Sequence, residues 1–415
     1  MKDNTVVIYV GAQEIVAMLG FLGEEPHIET AVAIQRPAGF SKGLVTHLEA
    51  ASDSLEALLE ALKEAVTRKG RRWIEPEGVY GVLGSGKIKT FSYSSAHYYK
   101  GFTKTIAPHD VKSVMEQTKS VANLPLSEAI LQWIPVSFLV NDLDGIQDPI
   151  GLEAQRLGVS LKIFTMPFEE FRNIAKAFEL AELRVFGFFP RVLTVSEAVL
   201  SEKEKKDGVA LIDVGRNATS CALWQKGELI KTLSLPLGLQ DLIEKVSAEW
   251  QISEEDAGKV IEEYASFNLP EKFGDELIPL IVRGQEEKCP IRRAEFIGKL
   301  QEFAGVWLER MGEAVDRFSK EERVYHPRYV WCGEANTFDG FLEFIQKRFP
   351  DENIAGQIRR VDAPPEMIHA PLYAPLLGMF CWLAYKEEDR LKLTRSRNLA
   401  EKIVAGAKNL IANYF

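Results

Sequence analysis

Twice in this chain an apolar, β-branched run ends at a glycine turn and a second apolar run follows at once. Residues 5–10 lead through Gly11 into 15–21, and Val209–Val214 leads through Gly215 into 220–224 and then Glu228–Leu235. A short run of Val and Ile without polar alternation suits a strand covered on both faces, and its immediate return implies a hairpin. Helical spacing follows each set. Leu55, Leu58, Leu59, Leu62 and Val66 fall on one face in the first half, and 254–264, 293–318 and 341–349 read as helices in the second. Between the two sets lie a strand at 78–83 broken by Gly84-Ser85-Gly86, a helix at 110–121, strand material at 128–140 and 162–165, and helices at 168–180 and 195–202. Repetition at this scale predicts two related α/β halves. The charged run Glu202–Asp207 reads as a solvated boundary between them.

With 46% hydrophobic and 27% charged residues the chain can build ordinary cores, and its 415 residues suit two to three domains. No apolar run approaches the ~18 residues of a membrane span; the best candidate, 379–385, is short and follows Pro375. The N-terminus has no basic-then-apolar signal segment, so a cytoplasmic location is expected. Cys221, Cys289, Cys332 and Cys381 form no CxxC pair and the six histidines show no ligand spacing. Neither a disulfide framework nor a metal site is expected.

Charge is unevenly placed. From Arg390 onward there are six cations and one anion, a net +5 that leaves −15 for the rest of a chain whose total is −10. An acidic body argues against nucleic acid as a partner. In the basic tail, Asn398-Leu399-Ala400-Glu401 has the form of a helix start with a returning carboxylate. At about 100° per residue, Leu399, Ala400, Ile403, Val404, Ala407, Leu410, Ile411, Tyr414 and Phe415 share one arc, with Glu401, Lys402, Lys408, Asn409 and Asn413 on the other. Such a helix either docks on its own domain or lies on a membrane. Its terminal position behind a polar basic linker, and its charge opposite to that of the body, favour an anionic lipid surface contacted by Leu399, Lys402, Ile403, Ala407, Lys408, Leu410, Ile411, Tyr414 and Phe415.

The order of motifs resembles the FtsA family of bacterial cell-division proteins along nearly the whole chain. The residues that carry the likeness are Ile134-Pro135-Val136, Val140-Asn141-Asp142, Gly145-Ile146-Gln147-Asp148-Pro149-Ile150-Gly151-Leu152, Arg156-Leu157, 162–165, 196–200, 208–215 and Pro371 to Gly378, with Lys42-Gly43-Leu44-Val45 early on. The stretch 145–152 is the most specific, because sugar kinases and heat-shock chaperones of the same fold lack that subdomain. The resemblance implies an actin-like two-lobe α/β fold with a family-specific insert. It would place subdomain 1A at 1–83 and 166–200, subdomain 1C at 84–165, subdomain 2A at 208–246 and 328–384, helical subdomain 2B at 247–327, a linker at 385–397 and a membrane-targeting helix at 398–415.

In that fold, ATP and Mg²⁺ sit between the lobes, held by backbone N–H groups of two hairpins and a carboxylate on each. The resemblance therefore assigns Gly11, Asp213, Gly215, Arg216, Asn217, Thr219, Gly238 and Gly333 to nucleotide contact, with Asp213 the candidate catalytic or Mg²⁺-linked carboxylate. The sequence departs from the pattern at several of these points. Tyr9 stands where the family has Asp, Ala12-Gln13 replace a small hydroxylated pair, and Arg216-Asn217-Ala218 replace a Gly-Gly-Thr turn. Ser220 replaces an Asp, Leu239 a Gly and Ile261 a Lys, while Glu334 interrupts a triple glycine. Arg216 is either a cationic substitute for Mg²⁺ or a charge that closes an empty cleft, and Asp213 either a phosphate-side carboxylate or a turn cap. Weak ATP binding with little or no hydrolysis is expected.

The family's partners are the C-terminal peptide of FtsZ, further copies of itself in actin-like filaments, other division proteins and the inner membrane face at the division site. Arg292, Arg293 and Glu295, at the start of a helix, are candidates for the peptide contact or else solvated surface charge. The readings set against an adaptor are a PilM-like pilus component and an active actin-fold ATPase or kinase.

Overall fold

A computed structural model describes residues 3–22, 31–101, 103–283, 288–325, 327–349, 352–359 and 363–384. Its first sheet has the spatial order Val185–Pro190, Val79–Leu83, Asp3–Val10, Ile15–Leu22, Ala31–Gln35. The central strand Asp3–Val10 runs antiparallel to its hairpin partner and parallel to Val79–Leu83. Val6, Val7, Ile8 and Val10 are fully buried, as a strand covered on both faces requires. One cover is the helix Leu48–Arg68, whose Leu55, Leu58 and Leu62 are completely shielded. The other includes the helical stretch 374–384, where Leu376, Leu377, Met379 and Phe380 are buried. The apolar run at 379–385 is thus core through Phe380 and half-buried over 381–384, and among the described residues no helix is long and apolar enough to cross a membrane.

A second five-stranded sheet repeats the first in order and direction: Glu228–Leu235, Thr219–Gln225, Val209–Val214, Arg328–Gly333, Asn353–Ala355. The duplicated strand–turn–strand signal corresponds to these two lobes of an actin-like fold. Helices Leu239–Trp250, Glu254–Tyr264 and Arg293–Glu321 and the hairpin Leu277–Ile281/Lys288–Arg292 extend the second lobe.

Between two strands of the first sheet the chain inserts a four-stranded sheet of order Leu143–Ile146, Glu128–Val140, Arg156–Pro167, Lys89–Tyr98, with the helix Pro108–Val121 on one face. The 145–152 motif is a turn of this insert. Asp148 Oδ1 accepts the Ile150 amide at 3.0 Å, and the Gly151 amide donates to the Ile106 carbonyl at 2.9 Å from a left-handed backbone (φ 85°) that suits glycine. The insert also touches the second lobe. The Thr90 and Thr232 hydroxyls bond each other, and Lys162 Nζ donates to the Ile230 carbonyl.

Two local expectations fail. The helix expected from Val195 begins at Arg191, directly after Pro190, and ends at Val199. The charged run Glu202–Asp207 is a separate helix capped by Ser201, and it is not solvated throughout. Glu204 and Lys205 are 7% and 3% exposed. Lys205 Nζ bonds both Glu197 carboxylate oxygens at 2.8 and 2.9 Å and lies 4.7 Å from the Trp224 ring centroid. Opposite charge and an aromatic face make burial of that lysine tolerable. The candidate lipid contacts Leu399, Lys402, Ile403, Ala407, Lys408, Leu410, Ile411, Tyr414 and Phe415 lie outside the described residues.

Candidate functional site: a cleft bridged by arginine

Both hairpin turns open on one cleft. Tyr9, one residue before the end of its strand, is 4% exposed and lays its ring along its own turn. A Cβ at Gly11 would meet the ring at 2.8 Å, and one at Gly84 would meet the hydroxyl at 2.8 Å. Glycine at both positions therefore makes room for tyrosine.

The Tyr9 hydroxyl accepts a hydrogen bond of 2.6 Å from Arg191 Nη1. The same guanidinium crosses to the other lobe, where Nε and Nη2 donate to the two carboxylate oxygens of Asp213 at 2.7 and 2.8 Å. This is a two-point, charge-assisted fork. It is also deeply buried, with the Arg191 side chain 12% and that of Asp213 2% exposed. Burial pushes the Tyr9 hydroxyl pKa up, so the phenol stays neutral, while Asp213 and Tyr9 outweigh desolvation and hold the Arg191 pKa well above its usual value. Gly333, at φ 90°, brings the end of strand Arg328–Gly333 against Asp213, where a Cβ would stand 2.8 Å from Oδ1.

The second hairpin turn is tied to the helix behind it. The Leu239 amide donates to the Gly215 carbonyl at 3.2 Å and the Gln240 amide to the Arg216 carbonyl at 2.8 Å, while the Gly238 amide donates to Asp241 Oδ2 at 2.8 Å. These are first-turn N–H groups of the kind that bind phosphate elsewhere, and here they already have partners. Arg216 Nε donates to Gln240 Oε1 at 3.2 Å, and with the Gln13 amide turned oxygen-first Gln13 accepts from Nη2 at 3.0 Å. Burial lowers the Arg216 pKa, an effect only partly offset by the carboxylates of Glu334, Glu262 and Glu254. Asn217 is half-buried at the cleft wall, and Thr219 is fully buried with its hydroxyl on the Leu237 carbonyl at 2.7 Å. Ile261, in the position of the family's lysine, is 4% exposed in the second lobe's core. Glu334 faces Arg191 and Arg216, yet desolvation dominates and raises its carboxyl pKa.

These residues do not fit a Mg²⁺-bound nucleoside triphosphate. Both oxygens of Asp213 are taken by Arg191, a neutral phenol stands where the second carboxylate belongs, and the helix amides are committed. No step of phosphoryl transfer follows from this geometry. Among the described residues no group of His, Cys, Asp and Glu could hold a metal ion. Of the residues singled out in the sequence, Asp213, Gly215, Arg216 and Asn217 line the cleft, together with Arg191, which spans it and was missed. No local pattern marks Arg191, which opens a helix after strand Val185–Pro190 and whose partners Tyr9 and Asp213 lie 182 and 22 positions away.

The comparisons with known proteins match this architecture. Residues 89–165, the insert sheet and its helix, match the family described as the SHS2 domain inserted in FTSA. The chain thus carries a domain of the kind that is inserted in FtsA. It is similar to the cell division protein FtsA of Neisseria meningitidis serogroup B, 23% identical over 420 residues covering 99% of this chain and 98% of that one. With FtsA of Bacillus subtilis strain 168 it shares 30% identity over 220 residues, 53% of this chain and 48% of that one. Among solved structures, a chain of the PilM-PilN type IV pilus biogenesis complex superposes with a TM-score of 0.62 at 13% identity, covering 92% of this chain and 99% of that one. MreB5 of Spiroplasma citri bound to AMPPNP gives 0.52 at 11% identity, covering 94% and 99%. Both likenesses are of fold.

The three candidate partner residues are not equivalent in the structure. Arg293 is 19% exposed and internally engaged, its Nη1 on Glu276 at 2.6 Å and its Nε on the Tyr264 carbonyl at 3.2 Å. Arg292 is 71% exposed, with only a 3.9 Å approach to Asp275, and Glu295 is exposed.

Proposed function

We propose that this chain is a cell-division adaptor of the FtsA kind that works as a closed scaffold and not as an ATPase. The observation that carries the reading is the Arg191–Asp213 fork, which joins the lobes through the protein's own charge where a nucleotide would otherwise join them. On this reading the body binds the C-terminal peptide of FtsZ through the helical part of the second lobe, using Arg292 and Glu295. It associates with copies of itself and with other division proteins. The basic amphipathic segment 398–415 holds it on the cytoplasmic face of the membrane at the division site. One such helix binds lipid reversibly, so stable attachment requires several copies acting together. ATP and Mg²⁺ are dispensable for this role.

A PilM-like role has the fold likeness in its favour, but the 89–165 insert and the basic amphipathic tail support the division reading. The test is co-sedimentation of the full chain with anionic liposomes, with and without an FtsZ tail peptide and with and without ATP. The expected result is tail-dependent binding that ATP does not alter, lost when 398–415 is deleted. Absence of liposome binding by the intact chain overturns the adaptor reading, and micromolar ATP affinity with Mg²⁺-dependent phosphate release overturns the scaffold reading.

A further inference from the structure

The end of the first lobe away from the hairpin turn carries four cations in five residues, Arg68, Lys69, Arg71 and Arg72, all exposed. Helix Leu48–Arg68 stops there: the Gly70 amide donates to the Thr67 carbonyl at 2.9 Å and the Arg71 amide to the Val66 carbonyl at 3.3 Å, with Gly70 at φ 72°. A cation at a helix C-terminus is favourable in its own right, but that effect fades within the last turn and does not account for Arg71 and Arg72. Arg68 and Arg72 form no ion pair among the described residues. Residues 68–77 hold these four cations against Glu75 and Glu77, a net +2 in a body whose charge before Arg390 is −15.

Apolar side chains are interleaved with the charge. Trp73 packs against the first lobe's core, with its indole N–H on Glu75 Oε2 at 2.8 Å. With Trp73 turned inward its neighbours face out, and Ile74 is 60% exposed. Arg184 and Phe186 stand beside this loop, since the Val79 amide donates to the Arg184 carbonyl at 2.8 Å and the Arg184 guanidinium lies 5.5 Å from the exposed Phe186 ring. Cations beside exposed aliphatic and aromatic groups suit anionic headgroups over an acyl boundary.

The path of the chain brings the tail to the same end. Residues 371–373 touch 334–337 beside the cleft, and the helical stretch that follows lays Phe380 on Gly20, where a Cβ would meet its ring at 2.6 Å. Gly20 pairs with Thr5, and Nδ2 of the adjoining Asn4 lies 3.5 Å from the Ile74 carbonyl. The described chain thus reaches the level of the basic loop four residues before 384.

We propose that Arg68, Arg72, Ile74, Arg184 and Phe186 form a second lipid-contacting surface, which lays this end of the first lobe on an anionic membrane. The inference rests on the adaptor reading, in which 398–415 makes the first contact. Residues 385–397 span up to about 45 Å when fully extended, so the tail alone leaves the orientation of the body unset. A contact on the body itself sets it, and turns the second lobe's partner face in a fixed direction.

Partitioning of the full chain onto phosphatidylglycerol–phosphatidylcholine vesicles tests this, with pure phosphatidylcholine as the uncharged control. A cation near an anionic surface contributes about fivefold, so Arg68→Gln/Arg72→Gln is expected to weaken partitioning by about tenfold or more. Both side chains are exposed, and the melting temperature is expected to stay unchanged. Ile74→Ser is expected to weaken partitioning severalfold. Lys245→Gln/Arg310→Gln removes the same charge from exposed positions on the second lobe and is expected to change partitioning by less than about twofold. Unchanged partitioning of the Arg68/Arg72 variant, with binding still dependent on 398–415, overturns the second surface and leaves the adaptor reading standing. An equal loss in the second-lobe variant reports net charge alone and also overturns it. No binding by the intact chain overturns the adaptor reading, and this surface with it.

Discussion

Replacing Arg191 by methionine keeps the length of the side chain and deletes only the charge and the fork. It leaves Asp213, with a side chain 2% exposed, beside a phenol and no cation. Removing one partner of a buried pair costs about 3–5 kcal/mol, because the remaining charge stays desolvated. At about 2 °C per kcal/mol for a large domain, this predicts a melting temperature lower by roughly 6–10 °C. Opening of the cleft to let water reach Asp213 would hold the loss toward the lower end and would itself appear as faster proteolysis between the lobes.

The decisive comparison is the double variant Arg191→Met/Asp213→Asn. With both charges gone no unpaired ion is left, and the melting temperature is expected to recover more than half of the loss. If Asp213 instead serves as a Mg²⁺ anchor held in reserve, Arg191→Met would leave stability within about 0.5 kcal/mol, the ordinary range for a neutral substitution, and would create Mg²⁺-dependent ATP binding. That pair of results, read by differential scanning calorimetry and by nucleotide titration, would refute the bridge.

Three further outcomes follow from the same geometry. Burial raises the Glu334 pKa above its ordinary value, so the folded chain favours the protonated form; that contribution to stability is fullest below the unfolded pKa and is lost as pH rises through the folded one. Glu334→Gln is therefore expected to raise the melting temperature at pH 7, with the gain shrinking as pH falls toward 4.5, and a constant gain across that range would contradict the assignment. Arg293→Ala should destabilise the second lobe by about 1–3 kcal/mol through its lost Glu276 and Tyr264 contacts, whereas Arg292→Glu should leave stability alone and weaken FtsZ-peptide binding; thermal melts and peptide titrations separate the two. Ile403→Asp puts a carboxylate at the centre of the tail's apolar arc and should abolish liposome co-sedimentation, while higher salt should weaken wild-type binding only in part, since screening removes the cationic contribution and leaves the apolar one.

The sheets were legible because burial on both faces forces an unbroken Val/Ile run, and 209–214 is just such a run in both sequence and structure. The insert was legible for a different reason. Its 145–152 turn needs Asp148 before Pro149 and a glycine at a positive φ, a combination that ordinary composition seldom produces. Arg191 was not legible, since its two partners stand 182 and 22 positions away and nothing local marks an arginine as a bridge. The run Glu202–Asp207 misled for the same reason: periodicity reports a charged segment, but only the fold brings Trp224 and Glu197 over Lys205.

The retained glycines bear on what a cleft of this fold is for. Gly11 and Gly333 are among the positions that the resemblance assigns to nucleotide contact, yet each gives room to a side chain of the bridge, Tyr9 at the first (as at Gly84) and Asp213 at the second. A nucleotide closes such a cleft only at a concentration set by its affinity, and by as much as its preference for the closed form. An internal arginine is present at an effective concentration that never changes. On the proposed scaffold reading, moving the closing charge from a ligand into the chain removes nucleotide as a control on lobe closure. Any surface that depends on the lobes being together, whether for another copy or for a partner peptide, is then presented whenever the chain is folded. A scaffold that must remain assembled through a long event is served by that arrangement, and a cycling ATPase is not.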